Sequence, residues 1–156
     1  MATSQDRARQ AGDNTGQPVK RIEEDHRTIR DHLDSVAAAT TRTDLLAALV
    51  VLPKTLREHF EQEEHAEGLY ADLLRRKPSV SSELDALRHD HQVILEDLDV
   101  LVGRLKGHID TAEAGDEIAE PIVRGVMRCL EKLRTHERNE SRMIGDIYYT
   151  DEGGFG

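Results

Sequence analysis

Leu56-Arg57-Glu58-His59-Phe60-Glu61-Gln62-Glu63 and Leu133-Arg134-Thr135-His136-Glu137-Arg138-Asn139-Glu140 carry one pattern, Leu-Arg-x-His-x-x-x-Glu. A spacing of four is about one turn of an α-helix, so in each segment the imidazole and the carboxylate share a helical face. One helix earlier, each segment is preceded by an Asp-His pair that heads a matching apolar pattern. These are Asp25-His26-x-x-Ile29-x-x-x-Leu33-Asp34 and Asp90-His91-x-x-Ile94-x-x-x-Leu98-Asp99. The chain reads as one helical hairpin written twice.

Around these segments apolar residues recur at spacings of three and four, the mark of a helix with one buried stripe. Ile22, His26, Ile29, Leu33 and Val36 predict a first helix from about Pro18 to about Thr40. Leu49, Leu52, Leu56, His59, Glu63, Ala66 and Tyr70 predict a second, capped by Thr43, reaching Arg76 and open to a kink at Pro53. The cations Arg75, Arg76 and Lys77 suit its C-terminal end. Lys77 to Ser82 breaks the pattern and offers Ser82 as a cap, with Asp85 three residues on. A third helix follows on Leu84, Leu87, His91, Ile94, Leu98, Leu101 and Leu105. Gly107 to Asp116 lacks apolar periodicity and reads as a connection, and Pro121 suits the first turn of a fourth helix. That helix carries Ile122, Val126, Cys129, Leu133, His136, Glu140, Met143 and Ile147. No segment has the period of a strand. The expected fold is all-α, an up-down-up-down four-helix bundle over residues 18–148. Residues 1–17 are expected to be a disordered tail and residues 149–156 a flexible, glycine-rich one.

The 156 residues suit a single domain with its own core, and with aromatics at 3% and no Trp that core must come from Leu, Ile, Val and Ala. A single cysteine, Cys129, excludes an internal disulfide and packs as a small apolar residue. The net charge of −10 argues against a nucleic-acid partner, which needs a basic surface to displace counterions. No apolar run approaches a membrane span and no hydrophobic signal core opens the chain, so the expected location is cytoplasmic.

In all four predicted helices the buried stripe is interrupted by His, and in the second and fourth by His and then Glu. Burying an uncompensated carboxylate or imidazole costs several kcal/mol, so something must offset these six residues. Counting ~1.5 Å per residue, His26 and His59 lie roughly 20 Å from the first turn, and His91 and His136 a similar distance from the third connection. The four helices can therefore bring them to one layer. Imidazoles and carboxylates closed inside a bundle suit iron, manganese or zinc, and two bridging carboxylates suit a pair of metal ions.

A hydrogen-bonded core histidine explains any one of these positions. Their correlation favours a metal, since of eight histidines only His59 and His136 have Glu at +4 and both lie in the repeated context. His32 and His65 fall off the stripe and are expected to face solvent, and His108 reads as a surface residue of the third connection. His89 competes with His91, but only His91 fits both the apolar spacing and the repeat. Glu64 points off the stripe beside Glu63.

With His26, His59-x-x-x-Glu63, His91 and His136-x-x-x-Glu140 in place, residues 18 to 150 resemble the hemerythrin-like (HHE cation-binding) family. The resemblance rests on Asp25-His26-Arg27-Thr28-Ile29-Arg30, His59-Phe60-Glu61-Gln62-Glu63-Glu64 and His136-Glu137-Arg138-Asn139-Glu140. It implies a non-haem, carboxylate-bridged pair of iron ions held by His26, His59, Glu63, His91, His136 and Glu140, with Glu63 and Glu140 as bridges. Two positions depart from the oxygen carriers of that family: Leu87 stands where they have a further His, and Ser141 where they have an Asp. Fewer protein ligands leave positions for oxygen, peroxide or nitric oxide. The implied function is binding or reduction of such a small oxidant in sensing, scavenging or detoxification. Iron storage or delivery is one alternative, and a metal-free helical interaction module is another. A ferritin-like oxidase wants Glu-x-x-His on two helices, and only Glu23-x-x-His26 fits.

Overall fold

The computed structural model describes residues 17–110 and 116–149. Four long helices make the bundle: α1 (Gln17–Ala38), α2 (Arg42–Glu64), α4 (Ser81–Asp110) and α5 (Glu120–Ile144). A short α3 (Leu69–Arg76) and a 3-10 turn (Pro78–Val80) lie between α2 and α4, and a π-helical turn (Gly145–Tyr149) follows α5. No strand occurs among the described residues. Most of the two expected tails lies outside the described residues.

Cross-helix pairs give the helix directions. Between α2 and α4, Arg57 meets Asp99 and Glu64 meets His91, so one helix rises as the other falls. Asp97 with Lys132 and Asp90 with His136 do the same for α4 and α5. Asp34 with Arg134 and His26 with Glu140 do it for α1 and α5, and a three-residue turn reverses the chain between α1 and α2. The topology is up-down-up-down.

Two apolar clusters fill the interior. One contains Leu33, Leu49, Leu52, Leu56, Leu98, Leu105 and Leu133, and the other Leu69, Tyr70, Leu73, Leu84, Leu87, Met143 and Ile147. Between them lie six buried polar residues: His26, His59, Glu63, His91, His136 and Glu140. Pro53 is buried inside α2, which runs through it as one helix.

The structure departs from the sequence reading at several boundaries. The cap of α2 is Thr41, whose side chain accepts from the Asp44 amide, while Thr43 bonds to Asp116 across the bundle end. The predicted second helix is two helices. The chain leaves α2 at His65, turns with the Gly68 amide on the His65 carbonyl at 2.7 Å, and starts again at Leu69. Ala66, placed on the buried stripe by its spacing, is exposed in that turn. Backbone packing makes this turn possible: a Cβ on Gly68 would stand 2.1 Å from the Gln62 carbonyl oxygen and 2.9 Å from that of Glu63. α4 is longer than predicted, since Gly107 to Asp110 are helical rather than part of the connection.

Two glycine replacements should therefore have opposite effects. Gly68→Ala forces backbone atoms apart and should cost about 2 kcal/mol or more, whereas Gly103→Ala, inside α4 with nothing near its Cβ, should add about 0.5–1 kcal/mol. Chemical denaturation of both variants checks this, with equal effects counting against the close approach at Gly68.

Candidate metal centre

Each long helix delivers one imidazole to the polar layer, and α2 and α5 each add a carboxylate one turn further on. Glu63 and Glu140 are fully buried at 0% exposure. The ligand-type atoms form two groups, each with its atoms within 4.8 Å of one another. One is His26, His59, Glu63 and Glu140, and the other is Glu63, His91, His136 and Glu140. Both contain both carboxylates. His89, the competitor of His91, is exposed, and so is His65; His32 is half-buried. The side chain of His108 lies outside the described residues.

The four buried histidines turn Nε2 inward. His26 Nε2 lies 2.9 Å from Glu140 Oε1, His59 Nε2 lies 3.2 Å from Glu63 Oε1, and His136 Nε2 lies 3.3 Å from Glu140 Oε2. The Nε2 atoms of His91 and His136 are 3.1 Å apart. Around this centre a second ring of carboxylates meets the outer nitrogens. Asp25 Oδ2 is 3.3 Å from His59 Nδ1, Asp90 Oδ2 is 3.2 Å from His136 Nδ1, and Glu64 Oε2 is 3.1 Å from His91 Nδ1. A carboxylate at Nδ1 holds the proton there and leaves the Nε2 lone pair facing the centre, the tautomer a metal requires.

Although imidazole nitrogens approach them closely, Glu63 Oε1, Glu63 Oε2 and Glu140 Oε1 lack a hydrogen bond of proper geometry. Buried carboxylate oxygens are rarely left so. Lone pairs of nitrogen and oxygen instead converge on shared points, which fits a cation between them better than a network of hydrogen bonds. The donor set of imidazole and carboxylate suits iron, manganese or zinc.

Without a cation the centre cannot hold two ionised carboxylates. Burial, then the neighbouring Glu140, drives the Glu63 pKa well above the usual carboxylate range. Glu140 goes the other way: burial opposes ionisation, but Glu63, His136 and His26 beside it hold its pKa well below that range. Burial thus favours the protonated form of Glu63, and the neighbours of Glu140 favour its ionised form. Burial, with His136 alongside, lowers the His91 pKa to about 3, and burial also lowers that of His59. Burial works against protonated His136 too, but Glu140 and Asp90 outweigh it and raise its pKa.

Sequence reasoning missed three contributors. Tyr70, counted as a stripe residue, donates its hydroxyl to Glu140 Oε2 at 2.8 Å and lies 3.0 Å from His91 Nε2. It arrives from α3, and the turn at Gly68 was its only signal. Phe60 stacks on His91 with centroids 3.8 Å apart and an interplanar angle of 9°. Glu64, set aside as off the stripe, meets His91 from α2. Asp25 and Asp90 were visible as repeated helix-head residues, and their role as outer carboxylates came only with the fold.

The raised Glu63 pKa yields a prediction about the cation-free protein. A carboxyl whose pKa rises on folding costs stability as pH climbs from its unfolded value through its folded one. Glu63→Gln keeps the shape of the protonated acid and removes that cost. In chelator, the variant should melt several degrees above wild type at pH 8, with the gap closing as pH falls to the ordinary carboxylate range. Thermal melts across pH measure it, and a gap independent of pH would contradict the raised Glu63 pKa.

Searches of curated proteins and of solved structures found no match to this chain. A protein-family comparison matches residues 16–147 to the hemerythrin HHE cation-binding domain. That match spans both copies of the hairpin, the six residues of the polar layer and the outer carboxylates. With four antiparallel helices converging four imidazoles and two carboxylates on one layer, the chain belongs to the hemerythrin HHE cation-binding family.

Proposed function

We propose that the two groups hold two iron ions, bridged by Glu63 and Glu140, and that the protein binds or reduces a small oxidant such as oxygen, peroxide or nitric oxide. The observation that carries this reading is the sharing of both carboxylates by two otherwise separate sets of histidines. A single-metal site has no use for the second set. Iron bound there supplies electrons and open coordination positions to a ligand.

The residues of the chain do the rest. His26 and His59 serve one ion and His91 and His136 the other, with Asp25, Glu64 and Asp90 keeping the Nδ1 protons in place. Tyr70 holds a hydroxyl proton beside Glu140 in the His91 half, where it can be given to a ligand or kept on the bridge. Burial and the neighbouring carboxylates raise its pKa, so it acts as a hydrogen-bond donor. Apolar clusters above and below the layer exclude water. Among the described residues no helix is long and apolar enough to cross a membrane, and a cytoplasmic place is part of the proposal.

Anaerobic loading with ferrous iron, followed by metal analysis and optical spectra after oxidation, tests the reading. Wild type should hold about two irons per chain, and fewer than one would sink the proposal. His91→Ala should lose at least half the iron and His89→Ala none, since His89 is exposed. Tyr70→Phe should keep both ions but bind azide or nitric oxide with an altered spectrum and, for a hydrogen-bonded ligand, up to about tenfold more weakly.

A further inference from the structure

The two halves of the bundle differ around their histidines. Glu64 Oε2 closes the Nδ1 side of His91 at 3.1 Å. By the internal repeat, the residue matching Glu64 on α5 is Ser141, which is short and exposed. On that side a groove of about 990 Å³ runs between α1 and α5 and reaches His26 at one end. Its size is at the upper end of sites that take small organic molecules.

The groove is polarised along its length. Around His26 it is lined by Arg30, Arg138, Glu137 and Ser141, with Arg134 held to Asp34 at 3.9 Å. Farther along, Arg128 and Glu131 also line it. Beyond them the lining is apolar: Val36, Leu45, Ile118, Val123 and Val126, with Met127 63% exposed. From Ser141 to Val123, α5 covers roughly 27 Å.

We propose that this groove binds an amphipathic carboxylate of the fatty-acid class, its head at Arg30 and Arg138 beside His26 and its chain running along Val36 and Leu130 toward Met127. Guanidinium groups match a carboxylate in geometry as well as charge. Arg30 Nε rests on the His26 carbonyl at 3.3 Å and Arg138 on the Thr135 hydroxyl at 3.1 Å, which leaves each guanidinium further N–H donors for a carboxylate, and their two charges exceed the one of Glu137 beside them. A helix from a partner or from a second copy would need an apolar face along the whole groove, and the charged end interrupts one. The bound head covers the solvent approach to His26, so occupancy would limit access to the polar layer from that side. Binding at these residues does not require a metal, and the proposal stands apart from the iron reading.

Calorimetric titration of the full-length chain with decanoate, with and without chelator, is the test. Decanoate should bind once per chain in the micromolar range in both conditions. Decanol should bind about tenfold more weakly, and octanoate about fourfold more weakly for the two methylenes lost on a half-open surface. Arg30→Gln with Arg138→Gln should weaken decanoate about three- to tenfold and leave decanol unchanged. Met127→Glu, at an exposed position, should weaken both. Circular dichroism establishes that these surface variants fold. Absence of saturable binding up to millimolar decanoate overturns the proposal, as does decanol matching decanoate or indifference of either variant. If Met127→Glu instead turns a dimer into a monomer while decanoate fails to bind, the groove belongs to a second copy and the proposal falls.

Discussion

Two carboxylates with no exposed surface, Glu63 and Glu140, set the terms for everything around them. An unbalanced buried charge costs several kcal/mol, comparable with a large share of a small domain's whole stability. The protein answers with one imidazole from each long helix and a ring of outer carboxylates at three of the four. A slip of any helix along the bundle would part a nitrogen from an oxygen it faces at about 3 Å. The polar layer therefore holds the register that apolar contacts alone leave loose, because leucines slide past one another at little cost and charged groups do not.

The layer also explains why the interior is in two parts. The larger cluster holds the four helices together, and the smaller one sits beyond the layer, where α3 and the turn after α5 close the bundle. Were α2 continuous through residue 70, Tyr70 would lie ~10 Å past Glu63 along the axis. The break between His65 and Gly68 folds α3 back instead, and puts the Tyr70 hydroxyl on Glu140 and against His91. Tyr148 bonds to Asp72 and stacks under Arg76, tying the last turn to α3. A two-fold repeated hairpin thereby acquires unlike halves, one sealed by Tyr70 and Glu64 and the other bordered by the groove at His26.

Much of this was legible in the residues. The spacing of Leu49, Leu52, Leu56 and of Leu84, Leu87, Ile94, Leu98 is a local property, and the helices followed it. The same rule failed at Ala66, because Leu69, Tyr70 and Leu73 keep a helical apolar spacing of their own and nothing in a one-dimensional pattern shows that they belong to a separate helix. Gly68 was the clue, and it means something only once the carbonyls of Gln62 and Glu63 are seen crowding its Cα. The cap moved from Thr43 to Thr41 for a related reason: either hydroxyl can cap locally, and the contact of Thr43 with Asp116 lies far along the chain.

Residue order alone dictates the helices, the repeat and the six polar positions on buried stripes, since a period of 3.6 acts over a few neighbours and needs no partner. Which carboxylate faces which imidazole depends on how separate helices meet. So do the arrival of Tyr70 at Glu140, the sealing of His91 by Glu64, and the gap left at His26 where Ser141 stands. Helix tilt, register and one tight turn set those contacts, and all three come from packing between residues that the chain keeps far apart.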